Sequence, residues 1–336
     1  VRIFFRLTIT LALTAGGLAT AQPDFGAWNS APGAFSRMGF GARGAAMGSA
    51  MAAVAHGDVA PYYNPALAVL TEGHRFNASY SLLSLDRTLN TLSYSKRFDF
   101  YGRGVDPNEE GAKPRAAAGF AAGLINAGVS NIDGRDAHGY QTGELSTSEN
   151  LVFVAMAMKL SEKLRVGVLA RLYYFDLYED FAATSVGVDL GAIYRVTPDL
   201  AVAFVFADFN SVYRWDSGEL YDMEGAVTED RFPERKTLAV SYRAAERKLT
   251  LAGEFSFDNM GGALFRAGVE YEPVERLYLR GGVDNWRAYT DEPARPALGF
   301  GYSHDVGGVV AGINYAWTSE PYSPEDRHVL GLSASF

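Results

Sequence analysis

KLTLAGEFSFD, residues 248–258, is the stretch that decides the fold. Leu249, Leu251, Phe255 and Phe257 alternate with Thr250, Ala252, Glu254 and Ser256, giving an extended chain one apolar and one polar face. A helix would scatter the same residues around its axis. The pattern recurs along the chain. LFRAGVEYE (264–272) sets Phe265, Ala267, Val269 and Tyr271 against Arg266, Gly268 and Glu270. LYLRGGVDNW (277–286) sets Leu277, Leu279 and Val283 against Tyr278, Arg280 and Asp284. LRVGVLARLYY (164–174) sets Leu164, Val166, Val168, Ala170 and Leu172 against Arg165, Gly167 and Arg171.

About fourteen such segments follow residue 73, near 74–84, 88–98, 115–132, 147–160, 164–176, 182–195, 200–214, 235–244, 248–257, 264–272, 277–287, 296–304, 309–318 and 328–336. Links after even-numbered segments are mostly tight, as in SEK (161–163), TPD (197–199), AER (245–247), PVER (273–276) and DVGG (305–308). Links after odd-numbered ones are mostly longer and polar, near 133–146, 215–234, 288–295 and 319–327. The long link 99–114 and the short one near 85–87 depart from this rule. An even strand count with short turns at one end and long loops at the other predicts an all-β fold: a transmembrane antiparallel β-barrel of about fourteen strands. A soluble, secreted all-β protein is the other reading of the alternation. Aromatic residues near segment ends, among them Tyr174, Tyr194, Tyr213, Trp215, Tyr242 and Trp286, are expected in interfacial girdles.

Both ends of the chain point the same way. Residues 1–21, with Arg2 and Arg6 before LTITLALTAGGLA and the small-x-small Ala19-Thr20-Ala21, read as a signal peptide. Its removal takes the formal charge from −9 to −11 and leaves no basic stripe, which argues against a nucleic-acid partner. The chain finishes HVLGLSASF, with Leu330, Leu332 and Phe336 on one face, resembling the assembly signal of outer-membrane barrels. The expected location is therefore a Gram-negative outer membrane, with both termini periplasmic. Lipid, lipopolysaccharide and the barrel-assembly machinery are the expected partners.

GFGARG (39–44) matches the dinucleotide-binding G-x-G-x-x-G pattern, but no apolar strand precedes it and no helix–strand alternation follows. Ser303-His304-Asp305 has the residue types of a hydrolase triad, yet neighbouring strand residues face opposite ways. The chain has no cysteine and its five histidines lack metal-ligand spacing. No catalytic residue, cofactor or metal is expected. The acidic loop 216–230 reads as a solvated loop, with a divalent-cation site as the sharper alternative.

Residues 39–70 carry a second pattern: Gly41, Ala42, Arg43, Met47, Gly48 and Ala50, then Tyr63, Asn64, Pro65 and Ala66. This resembles the N-terminal segment of PorV/PorQ-like proteins within the FadL superfamily of outer-membrane barrels, with His56-Gly57-Asp58 in place of the family's acidic turn. The resemblance implies that residues 22–73 form a plug or hatch with short helices, and residues 74–336 the barrel. Gly41, Arg43, Met47, Gly48, Tyr63, Asn64 and Pro65 carry the plug motif. Gly41, Gly44 and Gly48 are expected where a Cβ would strike the wall or neighbouring backbone. Arg165, Arg171, Glu254, Arg266, Glu270, Arg280 and Asp284 are expected to line a polar lumen, because bare charges facing lipid would cost a few kcal/mol near the midplane. Two non-enzymatic functions follow from the resemblance. One is a secretion-associated (type IX-like) barrel that binds an exported protein, the reading preferred on the chain's compactness. The other is a FadL-like passive channel importing hydrophobic small molecules.

Overall fold

The computed structural model describes residues 30–103, 106, 114–178, 181–216, 218, 225–244, 246, 248–287, 290 and 292–336. The expected signal peptide, residues 1–21, lies outside the described residues, as do residues 22–29 and Glu219, Asp222 and Glu224 of the acidic loop.

The alternating segments become strands β1 (His74–Leu82), β2 (Arg87–Phe100), β3 (Ala116–Arg135), β4 (Gln141–Lys159), β5 (Leu164–Tyr178), β6 (Phe181–Arg195), β7 (Leu200–Phe209), β8 (Val212–Asp216), β9 (Val227–Arg231), β10 (Arg235–Ala244), β11 (Leu249–Asp258), β12 (Ala263–Val274), β13 (Leu277–Trp286), β14 (Arg295–Val306), β15 (Val309–Thr318) and β16 (Arg327–Ser335). Fourteen of them form one closed antiparallel barrel, in which β10 follows β7 and β16 closes on β1. Closure pairs every wall strand on both sides, so no edge is left to template aggregation. Val168, Leu172, Leu190, Leu238, Leu298 and Ile313 point outward and are exposed. A soluble protein rarely shows so wide an apolar surface, whereas a bilayer accommodates it.

Ahead of β1 the chain runs inside the barrel. A 3₁₀ turn (Ala34–Arg37) leads to the short helix α1 (Gly41–Ala46), and a second 3₁₀ turn (Pro65–Leu70) precedes β1. Ala46, Met47, Val54, Asn64, Ala66, Leu67 and Ala68 have no accessible surface. Ala42, Ala45 and Ala46 of α1 pack on Ala316 of β15 and Val329 of β16. The second turn lies against the opposite wall, where Ala66 and Leu67 meet Ile193, Ala201 and Ala203.

Three expectations need correction. Residues 200–214 are not one strand: β7 ends at Phe209, and Asp208 and Asn210 adopt left-handed φ of 60° and 62°. The Asp208 carboxylate is drawn inward to Arg235 at 3.0 Å, and its N–H donates to Asp189 at 2.9 Å, so the chain leaves the wall there. β8 then pairs with β9 as a separate hairpin. Consequently Tyr213 is not in an interfacial girdle. It is buried inside with Phe232 and Tyr173, its ring centroid 4.9 Å from that of Phe232, while Trp215 packs on Phe175 and Phe181. The third concerns the loop expected at 133–146, much of which is strand: β3 and β4 stay paired as far as Arg135 and Gln141, with a register shift near Asn131.

At the closing seam, the Phe336 N–H donates to the His74 carbonyl at 3.1 Å and the His74 N–H returns a bond at 2.7 Å. The Phe336 ring projects outward and stacks on His74 with centroids 5.1 Å apart. Leu330 and Leu332 share that outward face, and Val329 faces in. Changing Phe336 to Asp is expected to lower the yield of heat-modifiable, folded barrel well below that of Ser335→Asp. Equal yields from the two variants would show that this face carries no assembly information.

Candidate functional site

The lumen segment and the wall around it form the candidate site. The wall treats the segment differently on its two sides.

On the side of β11 to β16, apart from the alanine packing of α1 on Ala316 and Val329, the contacts are polar and close. Arg43 reaches from α1 to β12, its Nε donating to Glu270 Oε2 at 2.8 Å and its Nη2 to Oε1 at 2.6 Å. Its remaining donors meet the carbonyls of His56 and Asp58. Glu270 is shared with Arg280 of β13, which also donates to Asn314 at 2.7 Å. Such a fork-to-fork pair fixes direction as well as distance. Deeper in, Arg266 pairs with Asp284 at 2.6 Å and lies 3.9 Å from Glu254, which accepts the backbone N–H of Ala52 at 2.6 Å. Met47 is wholly buried beside Met51 and Val54.

Backbone passes backbone at this wall. Gly48 has φ +59°, and a Cβ there would stand 2.5 Å from Val283 N and 2.6 Å from its carbonyl oxygen. The wall answers with glycine: a Cβ at Gly268 or Gly282 would run into the Met47–Gly48 backbone. Gly41 differs from its expected role, since nothing lies within 4 Å of its would-be Cβ; its φ of +71° is what requires glycine. A Cβ at Gly44 would meet the Tyr63 side chain rather than the wall. The Tyr63 hydroxyl accepts the Phe40 N–H at 2.7 Å and so ties the two halves of the segment together. Asn64 caps the second turn, its Oδ1 accepting the Ala66 N–H at 3.0 Å, while its Nδ2 donates to the carbonyls of Ala52 and of Ala192 in the wall. Pro65 packs over Gly167 and Gly191, where larger residues would collide with it.

On the side of β2 to β6 the contacts are mainly apolar. Phe35, Phe40, Tyr62, Ala68 and Val69 of the segment join Leu89, Ala117, Ala121, Ile125, Leu151, Phe153, Ala155, Ala157, Leu169 and Tyr173 of the wall in one buried cluster. Phe40 stacks on Tyr62 at 4.7 Å, and Phe153 lies 5.3 Å from Tyr62. At the long-loop end the cluster continues into Tyr213 and Phe232 under the β8–β9 hairpin. Along β4 it runs from Leu151 through Phe153 and Ala155 to Ala157, toward the short-turn end. It is an apolar seam traversing the barrel, packed shut in this state. One charged group borders it: Arg171 donates to Asp189 at 2.5 and 2.8 Å and to the Tyr62 hydroxyl at 3.0 Å, while Tyr173 donates to Asp208 at 2.5 Å.

The seven charges named from sequence all face the lumen, but they do not form one site. Arg266, Asp284 and Glu254 gather mid-barrel; Arg43, Glu270 and Arg280 lie nearer the short-turn end; Arg171 is across the lumen; Arg165 stands apart. Sequence reading missed Asp189, Asp208 and Arg235. Asp189 was findable, because it falls in phase with the inward Ala183, Ser185 and Ile193 of β6. Asp208 was hidden by reading the strand through to residue 214.

His56 sits where the segment meets the short-turn end. Its pKa is pushed down to about 4 by burial and then by Arg243, Arg195 and Arg43. Arg243 Nη1 faces His56 Nδ1 at 3.2 Å, so the neutral ring accepts that bond.

No protein-family model matches the sequence, and no curated protein matches it. Among solved structures the barrel resembles the Pseudomonas putida toluene transporter TodX, at 15% identity and a TM-score of 0.57, over 88% of this chain and 96% of that one. It also resembles the CymD monoaromatic hydrocarbon channel, at 14% identity and a TM-score of 0.58, over 89% and 98% of the two chains. A Pseudomonas aeruginosa FadL homologue follows at 12% identity and a TM-score of 0.51, over 88% and 98%. At these identities the likeness establishes the fold alone, a closed antiparallel β-barrel, here of fourteen strands.

Two outcomes test the seating of the segment. Glu270→Ala strands Arg43 and Arg280 as uncompensated buried charges, which costs about 3–5 kcal/mol. Protease cleavage within 39–70 should accelerate strongly in this variant while the barrel stays intact; unchanged cleavage would show that the pair does not hold the segment. For His56 the folded pKa lies below the ordinary value of about 6.5. Its contribution to seating is thus complete above pH 6.5 and is lost as pH falls through 6.5 toward about 4. Cleavage of the segment should rise across that window in the wild type and much less in His56→Gln.

Proposed function

We propose that this protein is a passive outer-membrane channel for small hydrophobic molecules, closed by its own N-terminal segment. The short-turn end and both termini are assigned to the periplasm, and the long loops with the β8–β9 hairpin to the cell exterior. The observation that carries the reading is the asymmetry of the lumen. Charge pairs anchor the segment on β11 to β13, while on β2 to β6 its contacts are mainly apolar ones that another apolar body can replace, with single hydrogen bonds from Asn64 to Ala192 and from Arg171 to Tyr62. A hydrophobic molecule entering beneath the aromatic hairpin would exchange side-chain contacts for its own with little desolvation cost. The similar structures, a toluene transporter and a monoaromatic hydrocarbon channel, support this reading over the secretion-partner one. The latter rests on the PorV/PorQ-like motif from Gly41 to Ala66.

The plug assignment for residues 22–73 and the lumen-lining roles belong to the same proposal. In cells expressing the protein, fractionation should place it in the outer membrane, and a monoaromatic hydrocarbon probe should enter faster than in vector controls. Gly48→Leu, which overpacks the contact with Val283 by roughly 1–3 kcal/mol, should displace the segment and raise both uptake and planar-bilayer conductance. Uptake equal to the control from a folded barrel, together with a surface protein that co-purifies with it, would overturn the channel reading and favour the secretion partner.

A further inference from the structure

Arg165 is the inward charge that the networks above leave out. It is 6% exposed, and among the described residues no hydrogen bond or ion pair reaches its guanidinium. It lines a cavity of about 330 Å³ at the short-turn end, between the Pro65–Leu70 turn and β2, β4, β5 and β6. Arg97, Lys159 and Arg195 line the same cavity. Two of these are answered locally: Lys159 pairs with Glu162 at 2.6 Å and Arg97 with Asp99 at 2.6 Å. Arg195, like Arg165, has no carboxylate or hydroxyl partner among the described residues. Ala55, Val69 and Leu70 supply an apolar floor, and His56 is held neutral beside it.

Elsewhere in this lumen each buried guanidinium finds a carboxylate or a carbonyl, as Arg43, Arg171, Arg266 and Arg280 do. Burying a charge without a partner is costly, so the buried Arg165, with the half-buried Arg195 beside it and no carboxylate within ion-pair distance of either among the described residues, marks a site that an anion would complete. The lining sets Arg97, Lys159, Arg165 and Arg195 against Glu72 and Glu162, a formal surplus of two positive charges. A phosphate group matches that surplus better than a single carboxylate, and its oxygens suit the planar donor forks of two guanidiniums.

We propose that this cavity is a phosphate-binding site, with Arg165 and Arg195 as its principal ligands. The phosphate group could be presented by a soluble phosphate or by the headgroup of an anionic phospholipid at the barrel rim. The proposal does not depend on what crosses the lumen. Its occupancy would add a tie between the Pro65–Leu70 turn and the wall on the side where the segment is otherwise held by apolar contact and the Asn64–Ala192 hydrogen bond.

The test uses the full-length folded barrel. In non-ionic detergent, calorimetry with inorganic phosphate reads the soluble arm. In phosphatidylcholine nanodiscs, the shift in thermal unfolding on adding phosphatidylglycerol reads the lipid arm. Saturable binding in either arm is expected, weakened at least tenfold in Arg165→Gln and in Arg195→Gln and unchanged in Arg276→Gln, on a turn remote from this cavity. Heat-modifiable migration checks that each variant is folded. Saturation with phosphate alone assigns a soluble ligand, and a phosphatidylglycerol-dependent shift alone assigns a lipid headgroup. No saturable response in either arm, or a response that all three variants share equally with the wild type, would overturn the proposal.

Discussion

The bidentate pair between Arg43 and Glu270 is the interaction on which the arrangement inside the barrel depends. A closed antiparallel wall satisfies its own backbone and needs nothing from the lumen to stand. The segment inside it has only a six-residue helix and two 3₁₀ turns, too little regular structure to fold alone. Its position must therefore come from the wall. Glu270 joins Arg43 of the segment to Arg280 of the wall, and the backbone crossing of Gly48 over Gly268 and Gly282 holds the adjoining stretch in register.

The same charges give the lumen its two-sided character. Strands β11 to β13 contribute Glu254, Arg266, Glu270, Arg280 and Asp284 from their inward faces, all matched inside the barrel or by the segment. Strands β3 and β4 contribute Ala117, Ala121, Ile125, Leu151, Phe153 and Ala155 at the equivalent inward positions. A segment clamped by charge pairs on one side, and held on the other by apolar packing with single hydrogen bonds from Asn64 to Ala192 and from Arg171 to Tyr62, has a built-in direction of least resistance. Motion of its Tyr62–Leu70 portion away from β2 to β6 would open the apolar seam without breaking the Arg43–Glu270 pair.

Much of this was legible in the sequence because period two sorts residues by face. Strand pairing, the position of Arg171 or Glu254 on the inner wall, and the outward run of Leu330, Leu332 and Phe336 all follow from alternation. What escaped was whatever depended on a break in that period. The left-handed backbone at Asp208 and Asn210 turns β7 inward and takes Tyr213 from the expected girdle to the core, and alternation alone gives no sign of it. Partner choice among inward charges escaped for a different reason. Glu270 meets Arg43, which is 227 residues away, and spacing carries no information about such a contact. The expectation of one packing role for the glycines does not separate them, since Gly41 answers to backbone conformation, Gly44 to the Tyr63 side chain and Gly48 to the wall.

The central claim, a segment anchored on one side and releasable on the other, is tested most directly by hydrogen exchange across residues 39–70. The exchange is measured in the detergent-solubilised barrel with and without a monoaromatic hydrocarbon. Amides of 62–70 are expected to lose protection when the hydrocarbon is present, while those of 41–48 stay protected. Uniform loss over the whole segment, or protection unchanged throughout, would contradict it.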